Sequence, residues 1–186
     1  MLNFTAIDFE TATGKFDSAC SVAVVEIEAG KTADEWYSLL KPPGLCFCRG
    51  NIRIHGITPA MVKDAPDFGD IWEELGARLE NRIVVAHNAS FDMRVLKACL
   101  ESRRISLPRF RYCCTVSMSR KVWPELCNHR LETVGSFLNY SFNHHNALDD
   151  ARACAIIPIT AAKMLGSDSF EEVAAHFKLA IKNFSD

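Results

Sequence analysis

Leu2-Asn3-Phe4-Thr5-Ala6-Ile7-Asp8-Phe9-Glu10 is a short apolar run that ends in two carboxylates. Its reading decides the fold. In an extended strand, residues two apart share a face, so Asp8 and Glu10 project together just before the strand gives way to the turn-rich stretch Thr11 to Gly14. Two carboxylates on one side of a buried strand repel each other and resist desolvation. A hard divalent cation bound through oxygen would relieve both costs. A lone Asp-x-Glu is more often a solvated pair at a strand edge, so the case depends on partners elsewhere in the chain.

Outward from that strand, Cys20 to Glu28 alternates and is rich in valine, and Glu35 to Lys41 returns after the turn Ala29-Gly30-Lys31. This predicts a three-stranded antiparallel meander, ended by Pro42-Pro43-Gly44. Thr58-Pro59 has the chemistry of a helix start. Asp67 to Leu79 carries Phe68, Ile71, Trp72, Leu75 and Leu79 at helical spacing. Arg82 to Ala86 reads as a buried strand, Phe91 to Ser102 as a helix and Phe110 to Cys114 as a strand. Helices are expected at 115–122, 130–138, 147–165 and 169–183, with Pro158 interrupting or kinking the third. The fold class is α/β: a mixed sheet, meander plus parallel strands, flanked by helices on both faces. We find no repeat and no linker, and expect a single domain over residues 1–186.

The chain of 186 residues is 48% hydrophobic and 24% charged, an ordinary globular composition with enough length for a sizeable core. No apolar run has the length of a membrane span and the N-terminus does not read as a signal peptide, so a cytoplasmic location is the default expectation. The eight cysteines are then expected as thiols. Zinc held by Cys46, Cys48 and His55 is a weaker alternative. Net charge is −2, but residues 94–130 carry +7 and the remainder −9. That segment is either a solvated helix face with loops or a surface that follows a phosphate backbone.

Three further clusters hold chemistry. His87-Asn88-Ala89-Ser90-Phe91-Asp92 follows the strand at 82–86. Asn88 is placed to cap the next helix, with Asp92 in its first turns. His144-His145-Asn146-Ala147-Leu148-Asp149-Asp150 sets histidine before a helix and aspartate in its opening turn, where histidine suits general-base work. Ile54-His55-Gly56-Ile57-Thr58 could wall a pocket for a base and sugar, or be a packed loop. Asp8, Glu10, Asp92 and Asp150, each at an element end, are the ligand inventory for two hard metal ions, with a histidine beside them as base.

At this point the chain resembles a known family. Phe4 to Glu10 with Thr11, then His87 to Asp92, then His145-x-x-x-x-Asp150 are similar to the three motifs of the DEDDh 3′–5′ exonucleases. The likeness is strongest to the proofreading subunit of bacterial DNA polymerase III and its stand-alone relatives, and it covers roughly residues 3–165. It implies a ribonuclease-H-like fold and two Mg²⁺ or Mn²⁺ ions held by Asp8, Glu10, Asp92 and Asp150, with Asp8 bridging both. It implies His145 as general base, chosen over His144 by spacing, as Asp150 is chosen over Asp149. Thr11, Ile54, His55, Asn88 and Phe91 are implied to line the terminal-nucleotide pocket. The implied substrate is a single-stranded or frayed 3′ end of DNA, with RNA left open, and a DNA polymerase is an implied partner. A non-catalytic nucleic-acid-binding or polymerase-docking module of the same fold is the alternative. Cys46 to Gly50 matches no motif of the family.

Overall fold

A computed structural model describes residues 1–185. Six strands, β1 (Phe4–Thr11), β2 (Ala19–Glu28), β3 (Lys31–Leu39), β4 (Ile83–Ala86), β5 (Arg111–Cys114) and β6 (Lys182–Asn183), form one sheet in the order β3-β2-β1-β4-β5-β6. The expected meander β1-β2-β3 is antiparallel, β4 and β5 run parallel to β1, and β6 returns antiparallel on β5. The carboxyl ends of β1, β4 and β5 therefore meet at one edge, where open α/β sheets collect their sites.

Alternation along β1 divides the core. Phe4 and Ala6 face one side, where α5 (Thr115–Val122), α6 (Leu131–Phe137), α7 (Ala147–Leu165) and α8 (Phe170–His176) close over them. Ile7 and Phe9 face the other, under α3 (Phe68–Leu79) and α4 (Ala89–Ser102). Fully burying each such side chain contributes about 1.5–3 kcal/mol. Asp8 and Glu10 share the parity of Phe4 and Ala6, so they point to the α7 side. A register shift between Glu10 and Thr11 ends the pairing there. Such a bulge bends the strand and re-aims its last side chains.

Four elements differ from their expected form. β3 begins at Lys31 rather than Glu35, because an exposed edge strand has no buried face to alternate and its extent is set by pairing with β2. α2 (Pro59–Val62) starts at Thr58-Pro59 as expected, but helix α1 (Arg49–His55) occupies a stretch where no helix is expected. It has no buried residue and so no hydrophobic period to betray it, and Gly56 closes it in the left-handed conformation. α7 runs unbroken through Pro158, which is itself buried against the sheet. Packing of that face outweighs the roughly 3 kcal/mol penalty of an interior proline. The helix expected at 169–183 is α8 followed by β6. Phe184 stacks on Phe110 at 4.5 Å and donates its N–H to the Phe110 carbonyl, a pairing across 74 residues that no local pattern carries.

All eight cysteines are free thiols. Cys46 and Cys48 are exposed and belong to no cluster of metal-ligating atoms among the described residues, so the zinc alternative is set aside. The basic segment does not form one face. Arg103 pairs with Asp67 at 2.6 Å, Arg111 with Glu171 at 2.9 Å, and Lys121 donates to the Lys178 carbonyl. Among the described residues no helix is long and apolar enough to cross a membrane.

Gly135 in α6 fixes the loop that carries His144 and His145. A Cβ there would lie 2.8 Å from Phe142 Cε1 and 3.2 Å from the Tyr140 carbonyl. Phe142 in turn meets the His144 ring edge-on at 5.7 Å. Gly135→Ala should destabilise the fold by about 1–3 kcal/mol, as overpacking does, read as a lower denaturant midpoint at unchanged slope. An unchanged midpoint would mean that the loop is not held by this contact.

Candidate active site

The ends of β1 and β4, the start of α4, the loop 124–130 and the opening of α7 enclose a cleft of about 750 Å³. Asp8, Glu10, Asp92, Asp150, His145, Asn88 and Phe91 all line it. Ligand oxygens of Asp8, Glu10 and Asp150 lie within 4.8 Å of one another. Asp92, buried to 2% exposure, stands behind them with its Oδ1 accepting the Phe9 N–H at 3.2 Å. β1 contributes two carboxylates through its alternation. α4 and α7 contribute one each through opening turns packed on the sheet.

The electrostatics follow from this crowding. Burial pushes Glu10 up to about 8, helped by repulsion from Asp150 and Asp92. Burial likewise raises Asp92 to about 8, against the lowering effect of backbone N–H donors and with Asp150 adding repulsion. Asp8 is pushed well above the carboxylate range by burial, then by Asp92, Asp150 and Glu10. Asp150 is raised by burial and partly relieved by a hydrogen bond from His144. The helix dipole at Asp92 is outweighed by desolvation. Four hard oxygen donors of this kind fit a divalent cation, which would hold them ionised.

The two histidines divide by what they touch. His144 has both ring nitrogens at carboxylates, Nδ1 at 3.0 Å from Asp150 Oδ1 and Nε2 at 3.4 Å from Glu132 Oε1. His145 stacks its ring on His144 at 3.9 Å and donates its backbone N–H to Asp150 Oδ2 at 3.1 Å. Its backbone has φ of +67°, and its ring nitrogens have no hydrogen-bond partner among the described residues. Asp149 accepts from Arg152 at 2.8 Å and from the Asn143 N–H at 3.4 Å, so it braces the histidine loop from outside the cleft.

Other residues take different places from those expected. Asn88 precedes α4 in the left-handed conformation with φ of +72° and makes no side-chain cap; its Oδ1 accepts from the Ser90 hydroxyl. Thr11, Ile54 and His55 are outside the lining of the cleft. His55 donates from Nε2 to the Thr11 carbonyl at 3.2 Å and accepts the Ile57 N–H at Nδ1, tying the end of α1 to the end of β1. Ile54 is 55% exposed on the same helix.

Several lining residues escaped the sequence reading: Arg120, Asn128, His129, Arg130 and Glu132. Arg120 comes from α5 and Glu132 from the first turn of α6, while Asn128, His129 and Arg130 come from the loop between these helices, which has no periodicity and is brought in by one strap. His87 Nε2 lies 2.9 Å from the His129 carbonyl, and its Nδ1 lies 2.9 Å from the Thr115 hydroxyl. A carbonyl can only accept, so Nε2 carries the proton. Burial lowers His87 to about 4, leaving it neutral at pH 7, with Nδ1 accepting from Thr115.

Comparisons with known proteins agree with this geometry. The exonuclease (RNase T) family model matches residues 5–158. The DNA polymerase III PolC-type of Oceanobacillus iheyensis is 33% identical over 153 residues, 81% of this chain and 11% of that protein. That of Thermotoga petrophila is 32% identical over 167 residues, 87% of this chain and 12% of that protein. The chain thus spans about a tenth of the length of these relatives. Among solved structures, Exonuclease X in complex with 5′ overhanging duplex DNA superposes with a TM-score of 0.73 at 26% identity, covering 88% of this chain and 93% of that one. A 3′-exonuclease that recognises a histone mRNA stem-loop shares the fold, with a TM-score of 0.75 at 17% identity over 90% of this chain and 84% of that one. The fold is ribonuclease-H-like, and its neighbours are hydrolytic nucleases. The chain belongs to the exonuclease family.

The raised carboxylates predict how stability responds to pH and metal. Glu10 and Asp92, ordinarily 4.5 and 3.8, titrate at about 8 when folded. Between these values the folded chain holds protons that the unfolded chain has released. The stability present at acid pH is therefore lost as pH rises through about 8. In chelator the melting temperature should fall between about pH 5 and 8.5, and millimolar Mg²⁺ or Mn²⁺ should restore it. A flat profile, or no response to either ion, would show that the carboxylates are not coupled as their packing requires.

Proposed function

We propose that this chain is a 3′–5′ exonuclease that hydrolyses the terminal phosphodiester of a DNA strand and releases 5′-mononucleotides. The observation that carries the reading is the convergence of Asp8, Glu10 and Asp150 in one cleft beside a histidine whose ring nitrogens are free.

Asp8, Glu10, Asp150 and Asp92 would hold two Mg²⁺ or Mn²⁺ ions. When bound, such a pair neutralises the scissile phosphate and stabilises the attacking and leaving oxygens. The chain's own part is positioning and proton transfer. His145 accepts at a ring nitrogen the proton of the attacking water. The water oxygen bonds to phosphorus, the bond from phosphorus to the 3′-oxygen breaks, and that oxygen leaves with the electron pair and is protonated from solvent. His144, with both nitrogens committed to carboxylates, cannot take that role and holds Asp150 instead. Partial burial and the neighbouring His144 keep His145 below the ordinary imidazole value, so it is neutral near pH 7 and able to accept a proton.

Phe91 and Asn88 line the cleft and would seat the terminal base and sugar. Thr11 at the end of β1, with Ile54 and His55 on α1, would border it, and His55 is close enough to feel the charge of His145. A single-stranded or frayed 3′ end of DNA fits the likeness to PolC-type polymerases and Exonuclease X, and a DNA polymerase is the corresponding partner. RNA would be accepted unless a contact rejects the 2′-hydroxyl.

Asp8→Ala should abolish metal-dependent release of mononucleotides from single-stranded DNA, and His145→Ala should lower kcat by about 10²- to 10⁴-fold. Both should keep the wild-type circular dichroism spectrum. Circular DNA should be resistant, and end-labelled strands should give ladders shortening from the 3′ end. Strand binding by wild type without cleavage in Mg²⁺ or Mn²⁺ would make the chain a binding module instead.

A further inference from the structure

Beside the reaction cleft lies a second one of about 380 Å³, which shares Asn88, Val116 and Arg120 with it as a common wall. The two differ sharply in charge. The reaction cleft is lined by five carboxylates, those of Asp8, Glu10, Asp92, Glu132 and Asp150, against the two guanidinium groups of Arg120 and Arg130. The second has none; its charged residues are Arg120 and Lys182, and it also carries the hydroxyls of Ser90, Tyr112 and Ser117. Arg120 and Lys182 are both exposed, and neither side chain has an ion-pair or hydrogen-bond partner among the described residues. Elsewhere in the basic segment Arg103 and Arg111 are spent on Asp67 and Glu171. Arg120 of that segment meets Lys182 from the C-terminal strand at this cleft.

We propose that this groove binds a backbone phosphate of the nucleic acid outside the reaction cleft. The inference rests on the exonuclease reading above. A reaction cleft that takes a strand end must let the rest of the strand out past one of its walls. Walls bearing carboxylates repel the backbone. The wall of Asn88, Val116 and Arg120 leads instead to cationic and hydroxyl donors, the groups that phosphate oxygens accept from. Lys182 reaches the groove from β6, at positions beyond the 5–158 span of the family match. The contact is therefore made from a C-terminal strand that lies outside the matched span. It sets how tightly a longer substrate is held, and leaves the chemistry at Asp8 and Glu10 untouched.

Lys182 lines no part of the reaction cleft, so its substitution separates the two sites. Lys182→Gln, Lys182→Glu and, as an independent variant on α5, Ser117→Asp are compared with wild type. Binding to dinucleotides and to single-stranded and duplex 12-mers is followed by anisotropy across salt concentrations in chelator. Hydrolysis of the p-nitrophenyl ester of thymidine 5′-monophosphate is followed in Mn²⁺. Lys182→Gln should weaken 12-mer binding roughly 2- to 5-fold, and Lys182→Glu more. The salt slope on a single strand should fall by about 0.7, the loss of one phosphate contact. Dinucleotide binding and ester hydrolysis should stay at the wild-type level. Equal losses on single strand and duplex assign the phosphate to the cleaved strand; a loss on duplex alone assigns it to the complementary strand. Unchanged 12-mer affinity and slope in all three variants would overturn the proposal. Absence of ester hydrolysis in wild type would instead count against the exonuclease reading, while the binding measurements still decide the groove.

Discussion

Mutual repulsion among carboxylates that the fold forces together is the constraint around which this protein is organised. Asp8 and Glu10 cannot separate, because strand alternation puts them on one face of β1, and β1 is held between β2 and β4. Asp150 and Asp92 cannot retreat, because the helices that carry them are packed on opposite faces of the same sheet. The strain shows as carboxyl groups titrating near neutrality. A core rigid enough to keep the carboxylates of Asp8, Glu10 and Asp150 within 4.8 Å of one another, with Asp92 beside them, is also rigid enough to hold them at fixed geometry for a cation. Stability of the empty site and affinity for metal are thereby opposed.

The surroundings moderate this repulsion without cancelling it. His144 stands between Asp150 and Glu132, and the backbone N–H groups of Phe9 and His145 donate to Asp92 and Asp150. Arg152 grips Glu35 on the edge strand and Asp149 beside the site, locking the start of α7 to the sheet. Gly135 lets the histidine loop close on α6. Such supports lie one contact away from the carboxylates, and they leave the ring nitrogens of His145 without a hydrogen-bond partner among the described residues. The straps of His87 to His129 and of His55 to Thr11 do the same for the cleft's two sides.

Charge is also sorted along the molecule. The reaction cleft is acidic, while the groove beside it carries Arg120 and Lys182 and no acid. A polyanion would thus find repulsion where it is to be cut and attraction where it is only to be held. On the proposed function, bound cations would reverse the first of these, and productive binding at the scissile phosphate would become conditional on metal. A net charge of −2 is compatible with nucleic acid because local distribution, not the total, meets the phosphates.

Much of this was legible in the chain itself. Period-two alternation in β1 and β2, helical spacing in α3 and α4, and acids at element ends follow from local rules, so the mixed sheet and its carboxylates could be read directly. What failed had no local signature. α1 buries nothing, β3 owes its first residues to a neighbour, and β6 exists only because Phe184 finds Phe110 across the sheet. Pro158 does not interrupt α7, because burial, not propensity, decides the extent of that helix. The sequence determined which residues carry charge and on which face of each element they stand. Only the tertiary structure decided which histidine keeps free nitrogens, which loop walls the cleft and where Arg120 and Lys182 meet. Those depend on contacts between residues far apart in the chain, which no spacing along it encodes.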